Sequence, residues 1–459
     1  MVFSSSIFLF LFFATTLAVY FFAREKLRNV ILLLASLLFY AWGEPKNVWI
    51  MVASVVVNYV LGLLIEKKEA RKKVFLVICV VYNIGVLFLF KYLNFAVDTW
   101  NSLAGANIQI ARIALPIGIS FFTFQIMSYV IDVYRKDVEA QKNIVDLALY
   151  ISLFPQLIAG PIVRYVDVEK QIKHRTSTWE RAYSGIIRFA VGFSKKILIA
   201  DQLSSLVDVA FGGTYPSILS KWVGIIAYTL QIYFDFSGYS DMAIGIGKIF
   251  GFDFLENFNF PYISKSIQEF WRRWHISLSS WFRDYVYISL GGNRKGPVRT
   301  YINLFIVFFL TGLWHGASFN FIVWGLYYGV FMIIERIGWG KVLERLPAFV
   351  RHLYSVLIVV IGWVFFRADT LGAAVRYIQG MFLPAGNDLV NFHFIMNGQY
   401  WVCILFGIFL SVPHPKIKAF FEKNRATQLL YDGMIFVCFL VAICYMVGSG
   451  YSPFLYFRF

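Results

Sequence analysis

The chain has 459 residues, of which 59% are apolar and 15% are charged. A soluble globular protein carries roughly 25% charged residues, so the composition excludes that class and indicates a polytopic membrane protein. The formal net charge is +16, and the basic residues lie between apolar runs, which argues against a nucleic-acid-binding surface. This distribution is typical of the positive-inside bias of cytoplasmic loops. Binding of anionic lipid or of an anionic acyl donor remains open.

Apolar runs follow one another along the chain without a long linker or an internal repeat, so we expect one integral membrane domain over residues 1–459. A simple spanning helix needs about 20 residues. Several runs are shorter, which predicts tilted, partial or re-entrant helices. The predicted fold class is an all-α polytopic membrane protein with about 11 transmembrane helices plus re-entrant and interfacial helices. The runs lie at 2–23, 30–42, 48–65, 74–90, 115–134, 147–162, 186–200, 223–246, 301–313, 321–334, 353–366, 401–412 and 430–447.

Clusters of basic residues predict the orientation. If the clusters after runs 2–23 and 48–65 are cytoplasmic, the N-terminus is extracytoplasmic. The cluster before run 430–447 then leaves the C-terminus extracytoplasmic as well. The run 147–162 has basic residues on both flanks, which predicts a re-entrant segment. Residues 301–334 are flanked in the same way, which predicts a hairpin entered from the cytoplasm.

One histidine lies where the two apolar runs of this hairpin meet. His315 stands in the sequence Trp314-His315-Gly316. An ionisable side chain at membrane depth is costly and is therefore a candidate functional group. Imidazole also suits proton transfer near neutral pH. We therefore predict that His315 carries chemistry, near the tip of the hairpin and deep in the membrane.

Residues 267–288 carry aromatic and aliphatic side chains at three- and four-residue spacing, which predicts a helix. Its opposite face carries His275 and other polar residues. A tryptophan-rich stripe with a basic reverse face is typical of a helix lying in the membrane interface. Alternatively, Arg272, Arg273 and Arg283 hold phosphate or another anion at the cytoplasmic mouth of a site, because guanidinium groups bind such anions bidentately.

Carboxylates and amides interrupt other apolar runs, among them Asp235, Asp241 and Asn257. Carboxylates within a membrane usually face the interior of the helix bundle and pair with another group. Structural pairing with a basic residue and contact with a substrate both remain open for these residues.

Several motifs resemble the membrane-bound O-acyltransferase (MBOAT) family, and most closely its bacterial alginate and peptidoglycan O-acetyltransferase branch. The resemblance covers essentially the whole chain. The motifs are VFSS at 2–5, PIGISFFTFQ at 116–125, AGPIVRY at 159–165, DFSGYSDMAIG at 235–245, ENFN at 256–259, FWRRWHISLS at 270–279, WHG at 314–316 and FLYFRF at 454–459.

The resemblance implies a ring of helices around a thinned centre, where a funnel or tunnel reaches the hallmark histidine, His315. It makes His275 the second motif histidine. The implied activity moves an acetyl group from a cytoplasmic thioester donor, acetyl-CoA, to an extracytoplasmic polysaccharide such as alginate or peptidoglycan. It also implies a bacterial inner-membrane location and an extracytoplasmic partner of the SGNH-hydrolase type. We expect no bound cofactor and no metal site.

Acyl transfer to a hydroxyl group needs a general base and stabilisation of a tetrahedral oxyanion. We assign the base to His315, and the oxyanion donors to groups such as Asn257 and Trp314. Tyr456, in the aromatic C-terminal tail, is a candidate acyl relay, since a covalent step splits one difficult transfer into two. The alternative is that neighbouring phenylalanines only anchor the tail in the interface.

Three other functions remain open. The nearest is D-alanyl transfer to a cell-envelope polymer, with a small carrier protein as the thioester donor. A transporter for a lipid-linked sugar would also use broken helices and buried charges. A scaffold for a secreted transferase would explain the basic loops but not the buried His315.

Overall fold

The computed structural model describes residues 1–158, 160–213, 216–384, 388–449 and 455. Within those ranges the secondary structure is helical, with no strand, so the protein is an all-α polytopic membrane protein, as predicted. Among the described residues, seven helices are long and apolar enough to cross a membrane. They are Glu25–Gly43, Val48–Lys67, Glu69–Ala104, Gly296–His315, Phe319–Arg345, Ala348–Arg367 and Arg425–Gly448.

An eighth span arises if the pair Leu389–Ile395 and Gly398–Leu410, bent by 85°, counts as one. The count by length and hydropathy is therefore below the predicted number of about 11. The difference lies in apolar runs that form short or polar helices. The run at 147–162, for example, breaks at Leu153, where ψ is 112°. Two short helices result, as expected for a segment that cannot cross as one helix.

The described chain divides into two compact units, Met1–Arg188 with Met242–Leu255, and Phe189–Asp241 with Glu256–Phe459. The single domain expected from the sequence stays a prediction. The first unit contains α1 (Ala14–Phe22), α2 (Arg28–Gly43), α3 (Val48–Lys67), α4 (Lys72–Leu87), α5 (Leu93–Ala104), α6 (Ile119–Arg135), α7 (Ile144–Ser152), α8 (Phe154–Leu157), α9 (Tyr165–Lys173) and most of α10 (Trp179–Lys195).

Buried polar side chains hold this first unit together. Asn83 on α4 donates from Nδ2 to Oδ1 of Asn58 on α3, at 2.8 Å. Hydrogen bonds of this kind join neighbouring helices where lipid offers no hydrophobic driving force. Arg175 donates to the carbonyl oxygen of Phe250 and to Oδ1 of Asn29. The segment 242–255 is thereby tied to the N-terminal helices.

The second unit holds the histidines. Its helices are α11 (Asp201–Gly212), most of α12 (Ile218–Ile249), α13 (Ile267–Arg273), α14 (Ile276–Trp281), α15 (Gly296–His315), α16 (Phe319–Ile334), α17 (Gly340–Arg345), α18 (Ala348–Arg367), α19 (Leu371–Gly380), α20 (Asp388–Ile395), α21 (Gly398–Leu410), α22 (Pro415–Phe421) and α23 (Arg425–Ser449). In the described part of this unit, three π-helical turns interrupt the helices, at Lys196–Ala200, Phe282–Tyr287 and Glu335–Trp339.

Helices α15 and α16 pack closely because glycines face each other. A Cβ atom on Gly312 would lie 2.3 Å from the carbonyl oxygen of Phe321, and one on Gly325 would lie 2.3 Å from that of Phe308. Small residues at such an interface let two helix backbones approach. The two helices form a hairpin, and α15 ends at His315; entry of this hairpin from the cytoplasm stays a prediction.

Candidate active site

His275 lies at a sharp break between α13 and α14, not inside one helix. Its backbone is in the left-handed region, with φ 44° and ψ 55°, which costs about 1–3 kcal/mol for a residue with a side chain. Two backbone hydrogen bonds hold the break. Asn259 N–H donates to the carbonyl oxygen of Arg273 at 2.9 Å, and Ile276 N–H donates to that of Asn257 at 3.0 Å. The prediction of one continuous helix over 267–288 is therefore wrong.

The segment 267–288 also differs from a helix lying on the membrane surface. The side chains of Trp274 and Trp281 are each 2% exposed, and His275 is 1% exposed. The aromatic stripe therefore packs inside the second unit. His275, which the helical pattern assigned to a polar outer face, is buried because the break turns it inward.

Asn257 holds the imidazole of His275. The backbone N–H of Ser277 donates to Asn257 Oδ1 at 3.3 Å, and an N–H can only donate, which fixes that carboxamide atom as the acceptor. His275 Nδ1 lies 3.1 Å from the same Oδ1 and must therefore carry its proton there. Asn257 Nδ2 in turn donates to Ser240 Oγ at 3.0 Å. In the neutral imidazole, Nε2 is then the atom that bears a lone pair.

Burial sets the protonation state of His275. Desolvation lowers the pKa of His275 from 6.5 to about 3, because a charged imidazolium is disfavoured away from water. The side chain is therefore neutral at pH 7. With the proton on Nδ1, the neutral ring can accept a proton at Nε2. Asn257 acts on this ring as a positioning residue and is not a free donor for an oxyanion.

His315 lies within a cage of aromatic rings. Its side chain is 4% exposed. Ring centroids of Trp314, Trp324 and Phe366 lie 4.9, 4.8 and 5.2 Å from that of the imidazole, all close to edge-on. Trp314 also contacts His275, with ring centroids 6.0 Å apart. The two motif histidines thus contact the same indole ring.

Gly316 makes this cage possible. A Cβ atom at that position would lie 2.3 Å from the Phe321 ring, which is closer than non-bonded carbon atoms approach. The Phe321 ring packs in turn on Phe366, at 5.1 Å between centroids. A glycine after His315 is therefore required for the aromatic packing around the imidazole.

A cavity of about 380 Å³ lies in the second unit, and residues close in sequence to the two histidines, rather than the histidines themselves, line it. Thr311 lines it from α15 and stands four residues before His315, on the same face of the helix. Trp271 also lines it, and its ring lies 5.8 Å from that of Trp324. The cavity is lined by Gln268, Trp271, Arg272, Ile276, Leu278, Ser279, Ser280, Phe282, Arg283, Tyr287, Leu304, Val307, Phe308, Thr311, Met332 and Arg336.

Three arginines give the cavity a positive wall. Arg272, Arg283 and Arg336 line it, and all three side chains reach the exposed surface. Arg283 also pairs with Asp284 at 2.7 Å. Arg273, also predicted to bind an anion, donates instead to Glu269 and to the carbonyl oxygen of Asn259. The structure thus brings two of the three predicted arginines to the cavity and adds Arg336.

Glu335 fixes the helix that carries Arg272. Its carboxylate accepts hydrogen bonds from the backbone N–H groups of Ile267 at 2.7 Å and Gln268 at 3.0 Å, at the first turn of α13. A carboxylate at a helix N-terminus satisfies donors that have no partner inside the helix. Glu335 and Arg336 share one π-helical turn, so this turn positions one wall of the cavity.

Three residues of the site were not singled out from the sequence. Trp324 lies in an apolar run, where a tryptophan looks like an ordinary packing residue. Its Nε1–H is buried without a hydrogen-bond partner among the described residues, so a donor is available beside His315. Arg336 counted only as a flanking basic residue. Glu335 had a usable signal, because it follows an apolar run directly.

The carboxylates left open by the sequence lie in ion pairs. Asp241 lies 2.7 Å from Lys195 Nζ, and Asp235 lies 2.8 Å from Lys196 Nζ. Tyr456, the candidate acyl relay, lies outside the described residues, as do the phenylalanines of the alternative anchor. No group of three or more His, Cys, Asp or Glu side chains that could hold a metal ion occurs in the described part of the chain.

Comparison with known proteins decides the family. The model of the membrane-bound O-acyltransferase family, MBOAT, matches residues 138–365. The protein named "Probable alginate O-acetylase AlgI" of Pseudomonas putida is 41% identical over 486 residues, which cover 100% of both chains. The chain belongs to the MBOAT family. The matched region contains both histidines, Asn257 and the arginines of the cavity.

Two further relatives have names that state different activities. The "Peptidoglycan O-acetyltransferase" of Helicobacter pylori is 32% identical over 518 residues, which cover 100% of this chain and 98% of the relative. The "Teichoic acid D-alanyltransferase" of Bacillus subtilis is 31% identical over 265 residues, which cover 54% of this chain and 66% of the relative. The O-acetylating relatives therefore match the whole of this MBOAT chain, and the D-alanylating one matches about half.

Proposed function

We propose that the protein is a membrane O-acetyltransferase. It moves an acetyl group from a cytoplasmic thioester donor, acetyl-CoA, across the membrane for O-acetylation of an extracytoplasmic polysaccharide. The observation that carries the proposal is the pair of buried histidines that contact Trp314, in the same unit as an arginine-lined cavity to which Thr311 and Ile276 connect them. The full-length similarity to an alginate O-acetylase and a peptidoglycan O-acetyltransferase supports acetyl as the transferred group.

In the proposed transfer step, a hydroxyl oxygen attacks the thioester carbonyl carbon. His315 takes the hydroxyl proton, the carbon–oxygen bond forms and the carbon–sulfur bond breaks. The His315 imidazolium then donates this proton to the departing thiolate, which leaves as the free thiol. The buried indole N–H of Trp324 stabilises the oxyanion between these steps, because a donor in a dry site is worth more than one in water. The step moves a single proton, and His275, held by Asn257, offers Nε2 as a second site that can hold this same proton.

The cavity supports a phosphate-bearing donor. Arg272, Arg283 and Arg336 offer guanidinium groups to phosphates at the exposed wall, and guanidinium binds phosphate bidentately. The apolar wall formed by residues such as Leu278 and Phe308 suits the aliphatic arm that carries the thioester. Both acetyl-CoA and an acyl carrier protein present this chemistry, and we propose acetyl-CoA as the donor.

The site of action is proposed as the bacterial inner membrane, with both termini extracytoplasmic. The acceptor is alginate, peptidoglycan or another exopolysaccharide, and a partner of the SGNH-hydrolase type completes transfer to the sugar hydroxyls.

In this scheme Tyr456 takes the acetyl group as a phenyl ester, and the partner's hydroxyl displaces the phenol. Mass spectrometry of the C-terminal peptide and a Tyr456→Phe variant test this relay. Absence of the acetylated peptide together with full activity of the variant would remove it.

D-alanyl transfer is the second candidate, because the teichoic acid relative matches about half of the chain. The two candidates differ in the ester that appears on the polymer. Hydrolysis of isolated polymer releases acetate in the first case and D-alanine in the second, and both can be measured on the same sample.

The test compares wild type with His315→Ala at equal membrane abundance, with His393→Ala as a matched control on an exposed helix. Acetyl ester is measured on isolated exopolysaccharide and on cell wall. We expect His315→Ala to lose the ester in one fraction, which also names the polymer, and His393→Ala to retain it. Unchanged ester in every fraction would remove His315 from the chemistry.

A further inference from the structure

A buried cluster of three charged side chains lies in the second unit. Lys196 is 3% exposed and belongs to the π-helical turn Lys196–Ala200. Its Nζ lies 2.5 Å from Asp201 Oδ1 and 2.8 Å from Asp235 Oδ1. One ammonium between two carboxylates leaves these three side chains with one net negative charge. A buried charge is stable only when further hydrogen-bond donors compensate for its lost hydration.

A distant part of the chain supplies such a donor. The backbone N–H of Leu455 donates to Asp235 Oδ2 at 2.9 Å, although the two residues are 220 positions apart. Leu455 is itself 7% exposed. Asp235 thus receives Lys196 at one carboxylate oxygen and the tail amide at the other. Hydrogen bonds to an ionised carboxylate are about twice as strong as neutral ones.

Asp235 stands on the helix that also contacts the histidine site. The next residue, Phe236, places its ring 4.6 Å from the imidazole of His275, edge-on. Ser240, on the same helix α12, accepts the hydrogen bond from Asn257 that anchors the His275 network. The point where Leu455 binds is therefore joined to the candidate active site through one stretch of helix.

We propose that Lys196, Asp201 and Asp235 form a docking site for the chain's own C-terminal tail, and that docking at Leu455 is required for full acetyl transfer. The second half rests on the acetyltransferase function proposed above. The occupant is a segment of this chain because the amide of Leu455 is the group bound to Asp235.

Removing the amide proton tests docking without altering the charged cluster. Leu455→Pro has no N–H to donate, whereas Leu455→Ala keeps it and loses only the side chain. Membrane fragments open on both faces are treated with a carboxypeptidase, and the C-terminal peptide is followed by mass spectrometry. We expect trimming of Leu455→Pro to be about tenfold faster than that of Leu455→Ala, given the strength of a charge-assisted hydrogen bond. Equal trimming rates would overturn the docking site.

Asp235→Asn provides a second variant, since it removes the charge and keeps the shape of the side chain. We expect carboxypeptidase to trim the C-terminal tail of this variant faster than that of wild type. A wild-type trimming rate in correctly inserted Asp235→Asn would count against the docking site. Membrane abundance of each variant is measured alongside.

Acetyl ester on polysaccharide tests the second half of the proposal. We expect about tenfold less ester from Leu455→Pro than from Leu455→Ala. Faster trimming with equal ester would refute the requirement for docking. His315→Ala separates this proposal from the proposed function. It should lose ester while its tail is trimmed at the wild-type rate. Ester retained in His315→Ala would refute the function, and the trimming comparison would still decide the docking site.

Discussion

Replacing Asn257 by leucine should disable the site while changing few contacts. Asn257 Oδ1 accepts hydrogen bonds from His275 Nδ1 at 3.1 Å, Ser277 N at 3.3 Å and Ser277 Oγ at 2.9 Å. Leucine has a similar size and offers no acceptor. The imidazole then loses the partner that keeps its proton on Nδ1, and Nε2 is no longer fixed as the proton acceptor.

The magnitude follows from the burial of these donors. His275 and Asn257 are each 1% exposed, so water cannot replace the lost partner. Leaving one buried donor unsatisfied costs about 1–3 kcal/mol. If this free-energy cost falls on the tautomer of His275 that carries its proton on Nδ1, the rate of acetyl transfer decreases by roughly 5- to 150-fold. The hydroxyl of Ser277 can rotate to another acceptor, and we assign no loss to it.

The assay measures acetyl ester on polysaccharide as a function of pH, at equal membrane abundance. Asn259→Leu, two residues away with an exposed side chain, is the matched control and should retain activity. Asn257→Asp keeps an acceptor and adds a negative charge beside the imidazole, which favours the charged form and raises the pKa of His275. Because the neutral ring is the active form, the acid limb of the pH profile should move to higher pH.

A purely structural role for Asn257 would not move the pH profile. If Asn257→Asp and wild type had the same acid limb, and Asn257→Leu lost no more than a few-fold of activity, the assignment of Asn257 as the positioning residue of His275 would be wrong. Abundance and thermal melting of each variant in detergent separate a chemical effect from misfolding.

Three further predictions concern neighbouring residues. Glu335→Gln weakens the bonds to the first turn of α13 and should destabilise the protein by about 1 kcal/mol in thermal melting, whereas exposed Glu344→Gln should not. Trp324→Phe removes the available indole N–H and should lower acetyl transfer about a hundredfold, with Trp339→Phe near wild type. Folding lowers the pKa of His275 from 6.5 to about 3. Between pH 3 and pH 6.5 the unfolded chain therefore binds more protons at His275 than the folded protein does. Stability should therefore fall as the pH drops from 6.5 towards 3, by up to about 1.4 kcal/mol per pH unit, and less in His275→Asn. A melting temperature independent of pH would contradict this.

The position of His315 was predictable because local signals agree there. Two apolar runs flank a short polar motif, and Gly316 and Ser318 interrupt the helical pattern. The structure accordingly ends α15 at His315 and starts α16 at Phe319. The class of fold was predictable for the same reason, since composition and run length are local properties.

The break at His275 was not predictable from periodicity. The aromatic spacing across 267–288 fits one helix, but backbone hydrogen bonds to the segment 257–259 divide it. These bonds join residues 14 to 19 positions apart, and a pattern of side chains carries no information about them. The left-handed backbone of His275 follows from that tertiary contact, not from its own preference.

The partners of buried groups were hidden for a similar reason. The sequence showed that Asp235 needed a partner, yet Lys196 and Leu455 lie 39 and 220 positions away. Trp324 and Glu335 gain their importance from residues on other helices. The placement of a single motif could be predicted, whereas contacts assembled from several helices required the structure.

Labelled acetyl transfer in inside-out membrane vesicles tests the central claim most directly. Vesicles from cells that make the polymer receive acetyl-CoA, labelled in the acetyl group, on their outer, formerly cytoplasmic, face. Label is then measured as ester on polysaccharide inside the vesicles. We predict that wild type and His393→Ala transfer the label and that His315→Ala does not. Equal luminal label with His315→Ala would contradict the account.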